Sequence, residues 1–158
     1  MVKATCQTDD CMVYLPLLAA VRIVIRSVHR KRGKSVKTII VIDDEWSIRE
    51  VVALMLQRAG HTVLSAATAD EGLAHMASCK PDAVLLDVMM PGMNGLDLAF
   101  EMYQKWPLVP VVLMSGRVST EADSIQNFIG RFGITGSIPK PFTQEQLLEA
   151  LNAAFKTE

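Results

Sequence analysis

Cysteine is scarce in this 158-residue sequence, and its three residues, Cys6, Cys11 and Cys79, form no C-x-x-C pair. An odd number of cysteines without that spacing suggests neither a disulfide framework nor a zinc site. No run of about 18 or more uncharged apolar residues is present, so the sequence holds no convincing transmembrane helix. Together these absences predict a protein of the reducing cytoplasm.

Positive charge is concentrated at one end of the chain. Residues 1–37 carry eight lysines and arginines against two aspartates, whereas residues 38–158 carry eight against fifteen acidic residues. The first segment therefore has a net charge of +6 and the second a net charge of −7. An acidic domain attracts the backbone of nucleic acids poorly, so no direct contact with nucleic acid is predicted.

From residue 38 onward, short apolar runs alternate with segments of helical periodicity. The pattern predicts strands at 38–42, 62–66, 83–86, 109–114 and 134–138. It predicts helices at 47–59, 70–79, 96–105, 120–132 and 143–155. Gly60 is typical of a helix end, and Thr143 with Gln146 three residues later is typical of a helix start. Five strands alternating with five helices indicate an α/β fold, a doubly wound five-stranded parallel sheet covered on both faces.

Polar side chains terminate four of the predicted strands. In chain order they are Asp43 and Asp44, Asp87, Ser115, and Lys140. In a doubly wound parallel sheet, the carboxyl ends of the strands converge on one crevice. Three carboxylates repel one another there, so a divalent cation such as Mg²⁺, which prefers oxygen ligands, is the natural partner.

Asp87 is the candidate nucleophile of this set, because a carboxylate can take a phosphoryl group and form an aspartyl phosphate. Lys140 adds a compact positive charge and Ser115 a hydroxyl donor, and both suit the oxygens of a phosphoryl group. These three residues are the candidate catalytic residues. We expect such a site to work mainly by positioning and by neutralising charge.

Four motifs contain these residues in order: IVIDDE at 40–45, LLDVMMPGMNG at 85–95, LMSG at 113–116 and PKPF at 139–142. On these motifs, residues 38–155 resemble the receiver domain of two-component response regulators, of the single-domain type represented by the chemotaxis response regulator. The resemblance implies a flavodoxin-like fold with strand order 2-1-3-4-5. It also implies a cis peptide bond between Lys140 and Pro141.

The resemblance further implies that Asp87 accepts a phosphoryl group from a sensor histidine kinase or a histidine phosphotransfer protein and loses it slowly. Mg²⁺ would be held by Asp44 and Asp87, by the backbone carbonyl of Met89, and by Asp43 largely through water. The signal would pass to a downstream protein target by protein–protein contact. The sequence ends at residue 158 without room for an output domain, so a stand-alone receiver is expected.

An aspartyl-phosphate hydrolase of the haloacid dehalogenase type is an alternative that uses similar residues. Such enzymes need a second Asp two residues after the nucleophile, and this chain has Met89 there. The sequence therefore disfavours a phosphatase.

Two features depart from the family pattern. The fifth strand of the family usually carries Tyr or Phe three residues before the lysine, and here Ser137 occupies that position, with Phe128 or Phe132 as substitutes only from a shifted register. This departure favours the alternative of a receiver-like binding module that works without phosphate. The second departure is a basic extension at 1–37 before the receiver domain at 38–158, which reflects either a misassigned start or a functional segment. Its amphipathic pattern allows contact with an anionic membrane or a partner helix through residues 12–32.

Overall fold

The computed structural model describes residues 35–116 and 127–156. Its strands are β1 Thr38–Ile42, β2 Thr62–Ala66, β3 Ala83–Asp87, β4 Val111–Ser115 and β5 Ile134–Pro139. The helices within the described residues are α1 Trp46–Arg58, α2 Ala69–Ser78, α3 Gly95–Lys105 and α4 Gln144–Ala154. Strands and helices alternate along most of the chain, as the periodicity predicts.

The five strands form one parallel sheet in the order β2-β1-β3-β4-β5. The predicted fold class and strand order are therefore confirmed. Every residue of β3 and β4 is buried. This burial explains the nearly continuous apolar composition of the two strands, since helices cover both faces of the sheet.

Alternate residues of each strand contribute to two separate hydrophobic cores. Ile40 and Ile42 of β1 belong to the core under α2 and α3, whereas Ile39 and Val41 belong to the core under α1 and α4. Side chains on successive strand residues point to opposite faces, so one short apolar run supplies both cores. Each fully buried side chain of this size stabilises the fold by about 1.5–3 kcal/mol.

Side-chain caps set the starts of three helices: Thr68 caps α2, Asn94 caps α3 and Thr143 caps α4. Thr143 Oγ1 accepts a hydrogen bond from the backbone N–H of Gln146 at 3.3 Å, and Gln146 Oε1 accepts one from the N–H of Thr143 at 2.9 Å. This reciprocal pair is the capping box that the sequence predicts. Asn94 caps α3 through a single bond of 2.9 Å, from the N–H of Leu96 to its Oδ1.

The predicted helix at 120–132 is wrong in its C-terminal part. Residues 127–132 form turns, and residues 120–126 lie outside the described ranges. Gly130, Phe132 and Gly133 all have positive φ angles, of 81°, 51° and 71°. A right-handed helix cannot continue through such residues, and the apolar spacing that suggested a helix gives no warning of this backbone geometry.

The β4–β5 pairing also differs from the predicted boundaries. β4 begins at Val111 instead of residue 109, directly after Pro110, which has no backbone N–H to contribute to a strand. The register shifts between Val111 and Val112, which pair with Ile134 and Gly136. An irregularity of this kind absorbs one extra residue of β5. Beyond it Ser115 pairs with Pro139, so Lys140 follows directly at the edge of the sheet.

Residues 35–37 adjoin the amino end of the sheet, where the carbonyl of Lys37 accepts a 2.8 Å hydrogen bond from the N–H of Thr62. Two predictions remain untested: the domain boundary at residue 37, which lies at the border of the described residues, and the membrane contact through residues 12–32, which lies outside them. Of the helices in the described part of the chain, none has the length and apolar character needed to cross a membrane.

Candidate functional site

The predicted site residues all lie at the C-terminal ends of the strands, which we call the carboxyl edge of the sheet. Asp87 and Ser115 are the last residues of β3 and β4. Asp43 and Lys140 directly follow β1 and β5. Asp44 comes next after Asp43 in the turn to α1. Parallel neighbours bring their carboxyl ends to one edge, so residues far apart in sequence become neighbours here.

Lys140 joins two of the carboxylates. Its Nζ lies 2.6 Å from Oδ2 of Asp43 and 2.6 Å from Oδ1 of Asp87, across 97 and 53 residues of sequence. The backbone N–H of Lys140 donates to the carbonyl of Ser115 at 2.7 Å, which fixes the start of the loop after β5. The peptide bond between Lys140 and Pro141 is cis, as the resemblance implies.

The three carboxylates form one compact cluster. Oxygen atoms of Asp43, Asp44 and Asp87 all lie within 4.8 Å of one another. Asp43 and Asp87 are buried, at 0% and 4% exposure, whereas Asp44 is exposed. Within the described ranges, Lys140 is the only cation in ion-pair contact with them. The carboxylates thus outnumber the lysine that pairs with them, and an all-oxygen, negatively charged donor set fits a hard divalent cation such as Mg²⁺.

Burial and charge shift the titration of the two central groups. Desolvation raises the pKa of Asp87, and the charges of Asp43 and Asp44 add to the increase, although the bond to Lys140 opposes it. Desolvation lowers the pKa of Lys140, but its hydrogen bonds to Asp43 and Asp87 outweigh that effect and leave it raised. Lys140 therefore stays protonated near neutral pH, while the raised pKa of Asp87 means that it ionises less readily than an ordinary aspartate.

The sequence matches a known family along most of the part that forms the sheet. The family model of the response regulator receiver domain covers residues 39–152. The chain belongs to this family. It is therefore a receiver domain of the kind found in two-component signalling, and the resemblance drawn from the four motifs is confirmed.

Two curated relatives are regulators that are longer than this receiver domain. The phosphate regulon transcriptional regulatory protein PhoB of Pseudomonas aeruginosa is 34% identical over 122 residues, which are 76% of this chain and 52% of that protein. The DNA-binding transcriptional regulator NtrC of Salmonella typhimurium is 35% identical over 114 residues, which are 72% of this chain and 24% of that protein. The chain thus spans about half the length of the first relative and about a quarter of the second.

Solved structures of receiver domains share the fold over nearly their whole length. The chemotaxis protein CheY4 of Vibrio cholerae superposes with a TM-score of 0.68 at 30% identity, covering 76% of this chain and 99% of that chain. The receiver domain of NtrX from Brucella abortus has a TM-score of 0.68 at 34% identity and the same two coverages.

The loop after β3 holds Asp87 from its other side. The N–H of Met89 donates to Oδ2 of Asp87 at 3.1 Å, and Met89 pairs with Asn94 in an isolated bridge. The N–H of Gly95 donates to the carbonyl of Val88 at 2.9 Å. A Cβ on Gly95 would overlap the carbonyl oxygen of Asp87, so only glycine allows α3 to begin this close to the end of β3. The role of the Met89 carbonyl as a metal ligand remains a prediction.

Trp46 follows the acidic pair in sequence, which allows two interpretations. It is either a neighbour of the metal that reports on it or a packing residue at the start of the first helix. Its side chain is 68% exposed in the first turn of α1, which does not fit simple packing.

Arg49 contacts the site, although the sequence analysis assigned it no role. Its Nη1 donates to the backbone carbonyls of Asp43 and Asp44. The available signal was a basic residue a few positions after the acidic pair, in the first turn of the predicted helix. That signal does not say whether the guanidinium turns toward the loop or toward solvent.

Proposed function

We propose that this receiver domain accepts a phosphoryl group on Asp87 in a Mg²⁺-dependent reaction. The observation that carries the proposal is the contact of one lysine with two of three clustered carboxylates, at 2.6 Å from both Asp43 and Asp87. The excess of carboxylates supports the binding of a further cation, and the contact of Lys140 with Asp87 supports a role for Lys140 in neutralising oxygens bound to Asp87. Membership of the receiver family supports the same reading.

The proposed step transfers the phosphoryl group from a phosphohistidine of the donor protein. A carboxylate oxygen of Asp87 attacks phosphorus, and the bond between phosphorus and the imidazole nitrogen breaks. The electron pair of that bond stays on the nitrogen, which takes up a proton from solvent. The products are an acyl phosphate on Asp87 and a free histidine. Slow attack by water on phosphorus would break the bond between phosphorus and the Asp87 oxygen, release inorganic phosphate and restore the carboxylate.

The proposed roles of the other residues follow from charge. Lys140 binds the oxygens of the transferring group, and the hydroxyl of Ser115 donates a hydrogen bond to them. Asp43, Asp44, Asp87 and the Met89 carbonyl are the proposed holders of Mg²⁺. When bound, Mg²⁺ supplies positive charge that favours the ionised form of Asp87 and the charged oxygens of the phosphoryl group.

The proposed partners are a sensor histidine kinase or a histidine phosphotransfer protein as donor and a downstream protein as target. We propose that the phosphorylated domain signals by contact with that target. The names of PhoB and NtrC describe them as transcriptional regulators, and this description applies to those two proteins. The absence of direct nucleic-acid contact and the cytoplasmic location of this chain remain predictions.

The test is intact mass spectrometry after incubation with acetyl phosphate and Mg²⁺. The wild type, Asp87→Asn and Asp82→Asn are compared, with and without EDTA. Asp82 is the matched control, because it is also an aspartate in contact with a lysine but lies at the opposite edge of the sheet. We expect one phosphoryl group on the wild type and on Asp82→Asn, and none on Asp87→Asn or in EDTA.

The absence of an adduct on the wild type, with Mg²⁺ binding demonstrated by calorimetry, would reject the proposed phosphoacceptor. The phosphate-independent binding module would then be the better reading. Ser137, which lies on β5 opposite Leu113 and three residues before Lys140, is the feature that favours this second candidate.

A further inference from the structure

The guanidinium of Arg49 reaches back from α1 to the two acidic residues after β1. Its Nη1 lies 2.6 Å from the carbonyl oxygen of Asp43 and 2.9 Å from that of Asp44. Both contacts are hydrogen bonds from a charged donor, which are shorter and stronger than bonds between neutral groups. Arg49 thus binds the backbone of two of the three residues that form the carboxylate cluster, without forming an ion pair with the carboxylates.

The position of Arg49 is unfavourable for the helix that carries it. It lies in the first turn of α1, a turn that has no acidic residue. A cation at a helix N-terminus opposes the helix dipole, at a cost of about 0.3–1 kcal/mol. The stability of α1 therefore does not account for Arg49, whereas its two carbonyl contacts do.

The segment that Arg49 binds also forms hydrogen bonds that do not involve Arg49. The N–H of Asp43 donates to the carbonyl of Ala66 at 3.2 Å, which joins the end of β1 to β2. Oδ1 of Asp43 accepts a 2.9 Å bond from the N–H of Glu45. The carbonyl side of the same segment is held by Arg49. The orientation of a peptide carbonyl is coupled to the direction of the adjoining Cα–Cβ bonds, so this contact also sets where the Asp43 and Asp44 carboxylates point.

We propose that Arg49 is a positioning residue for cation binding, an inference that rests on the Mg²⁺ site of the proposed function. Two effects of Arg49 on a bound cation have opposite signs. Its positive charge repels Mg²⁺, whereas its hydrogen bonds hold Asp43 and the exposed Asp44 in the arrangement that binds it. The proposal is that positioning outweighs repulsion, because the charge acts across a partly solvated site while the hydrogen bonds act directly on the ligands.

The experiment compares Mg²⁺ binding by isothermal titration calorimetry in four forms of the full chain: wild type, Arg49→Met, Arg49→Lys and Arg58→Met. Arg58 is the matched control, since it is an exposed arginine in the last turn of the same helix. We expect Arg49→Met to bind Mg²⁺ about 10-fold more weakly, the usual lower range for loss of a group that orients metal ligands. Arg49→Lys, which keeps a charged donor, should bind more tightly than Arg49→Met, and Arg58→Met should match the wild type. Circular dichroism verifies that each variant is folded.

Amide hydrogen exchange of the metal-free proteins provides a readout that does not depend on Mg²⁺. We expect the Glu45 amide to exchange about tenfold faster in Arg49→Met, with amides near the C-terminal end of α1, such as that of Leu56, unchanged. Arg49→Met binding Mg²⁺ as tightly as the wild type, or more tightly, would overturn the inference and leave only the effect of charge. If the wild type itself bound no Mg²⁺, the proposed function would fail. Unchanged exchange at Glu45 would then reject the positioning role as well, and faster exchange would retain it for the segment.

Discussion

Two lysine–aspartate contacts lie at opposite edges of the same sheet, and they differ in charge balance. At the amino edge, Lys37 Nζ pairs with Oδ1 of Asp82 at 2.8 Å, while Oδ2 of Asp82 accepts the N–H of Thr38 at 2.7 Å. At the carboxyl edge, one lysine faces the three carboxylates of Asp43, Asp44 and Asp87. We refer to the first as the amino-edge pair and to the second as the carboxylate cluster.

Burial increases the difference between the two edges. The side chains of the amino-edge pair are 26% and 31% exposed, so water screens the interaction between them. One positive and one negative charge also balance each other there. The Asp43 carboxylate in the carboxylate cluster is fully buried and that of Asp87 is 6% exposed. A balanced, partly exposed pair joins the start of β1 to β3. The carboxylate cluster instead has one ion-paired lysine for three carboxylates, two of them buried, and a bound cation would improve its charge balance. The same two residue types therefore join strands at one edge and, in the proposed function, take part in chemistry at the other.

The largest expected difference between the two edges is in the acceptance of a phosphoryl group. Asp87→Asn should abolish acetyl phosphate labelling, because an amide cannot act as the nucleophile. Asp82→Asn should leave the labelling rate close to that of the wild type. Time-resolved intact mass measures both, and equal loss of labelling in the two variants would show that the edges do not differ in function.

Removing the lysine of each edge should give the next largest effect. Lys140→Met should slow labelling by about a hundredfold, the effect typical of losing one group that stabilises charge on transferring oxygens. Lys37→Met should retain the wild-type rate. The initial rate at saturating Mg²⁺ is the measurement. If Lys140→Met labelled as fast as the wild type, Lys140 would be only a structural partner of the carboxylates.

Mg²⁺ should stabilise the fold only through the carboxylate cluster. At a concentration one hundred times its dissociation constant, a ligand specific for the folded state adds about 2.7 kcal/mol of stability. Denaturant unfolding with and without Mg²⁺ should show this gain in the wild type and in Asp82→Asn. Asp43→Asn should lose most of it, since one carboxylate of the three is gone. A full Mg²⁺ effect in Asp43→Asn would place the cation elsewhere.

Without Mg²⁺, neutralising one aspartate at each edge should change stability in opposite directions. The folded state raises the pKa of Asp87, so the stability that this group contributes falls as pH rises from its unfolded to its folded pKa and is lowest near neutral pH. Asp87→Asn at pH 7 should therefore stabilise the fold, by about 0.5–2 kcal/mol, the gain usual for a stabilising substitution. Asp82→Ala should destabilise it by about 1–2 kcal/mol, because the N–H of Thr38 loses its acceptor.

Urea unfolding in EDTA measures both free energies of unfolding. A destabilising effect of Asp87→Asn would show that the bond to Lys140 outweighs burial and repulsion at this carboxylate.

The smallest expected effect is optical. Trp46 is two residues from Asp44 and exposed, so Mg²⁺ binding at the carboxylate cluster should change its fluorescence. Trp106, which follows α3, should not respond. Mg²⁺ titrations of Trp46→Phe and Trp106→Phe distinguish the two rings, and a response that survives in Trp46→Phe would contradict the assignment.

Local patterns in the sequence determined much of the fold. Apolar runs of about five residues, ended by polar residues, located the strands, because both faces of the sheet are covered and each strand must be apolar throughout. Thr143 and Gln146 located the start of α4, because a capping box is a contact within one turn. The residues of the candidate site could also be named from the sequence, since parallel strands bring their carboxyl ends to one edge.

Tertiary structure alone decided the features that depend on distant residues or on backbone angles. The two bonds of Lys140 join residues 97 and 53 positions apart, and the raised pKa of Asp87 depends on burial that no single segment creates. Apolar spacing at 127–132 suggested a helix, but left-handed backbone angles at Gly130 and Phe132 replace it with turns. Arg49 shows the same limit, because its sequence position fixes the helix turn it occupies, whereas only the packed loop provides the two carbonyls that it binds.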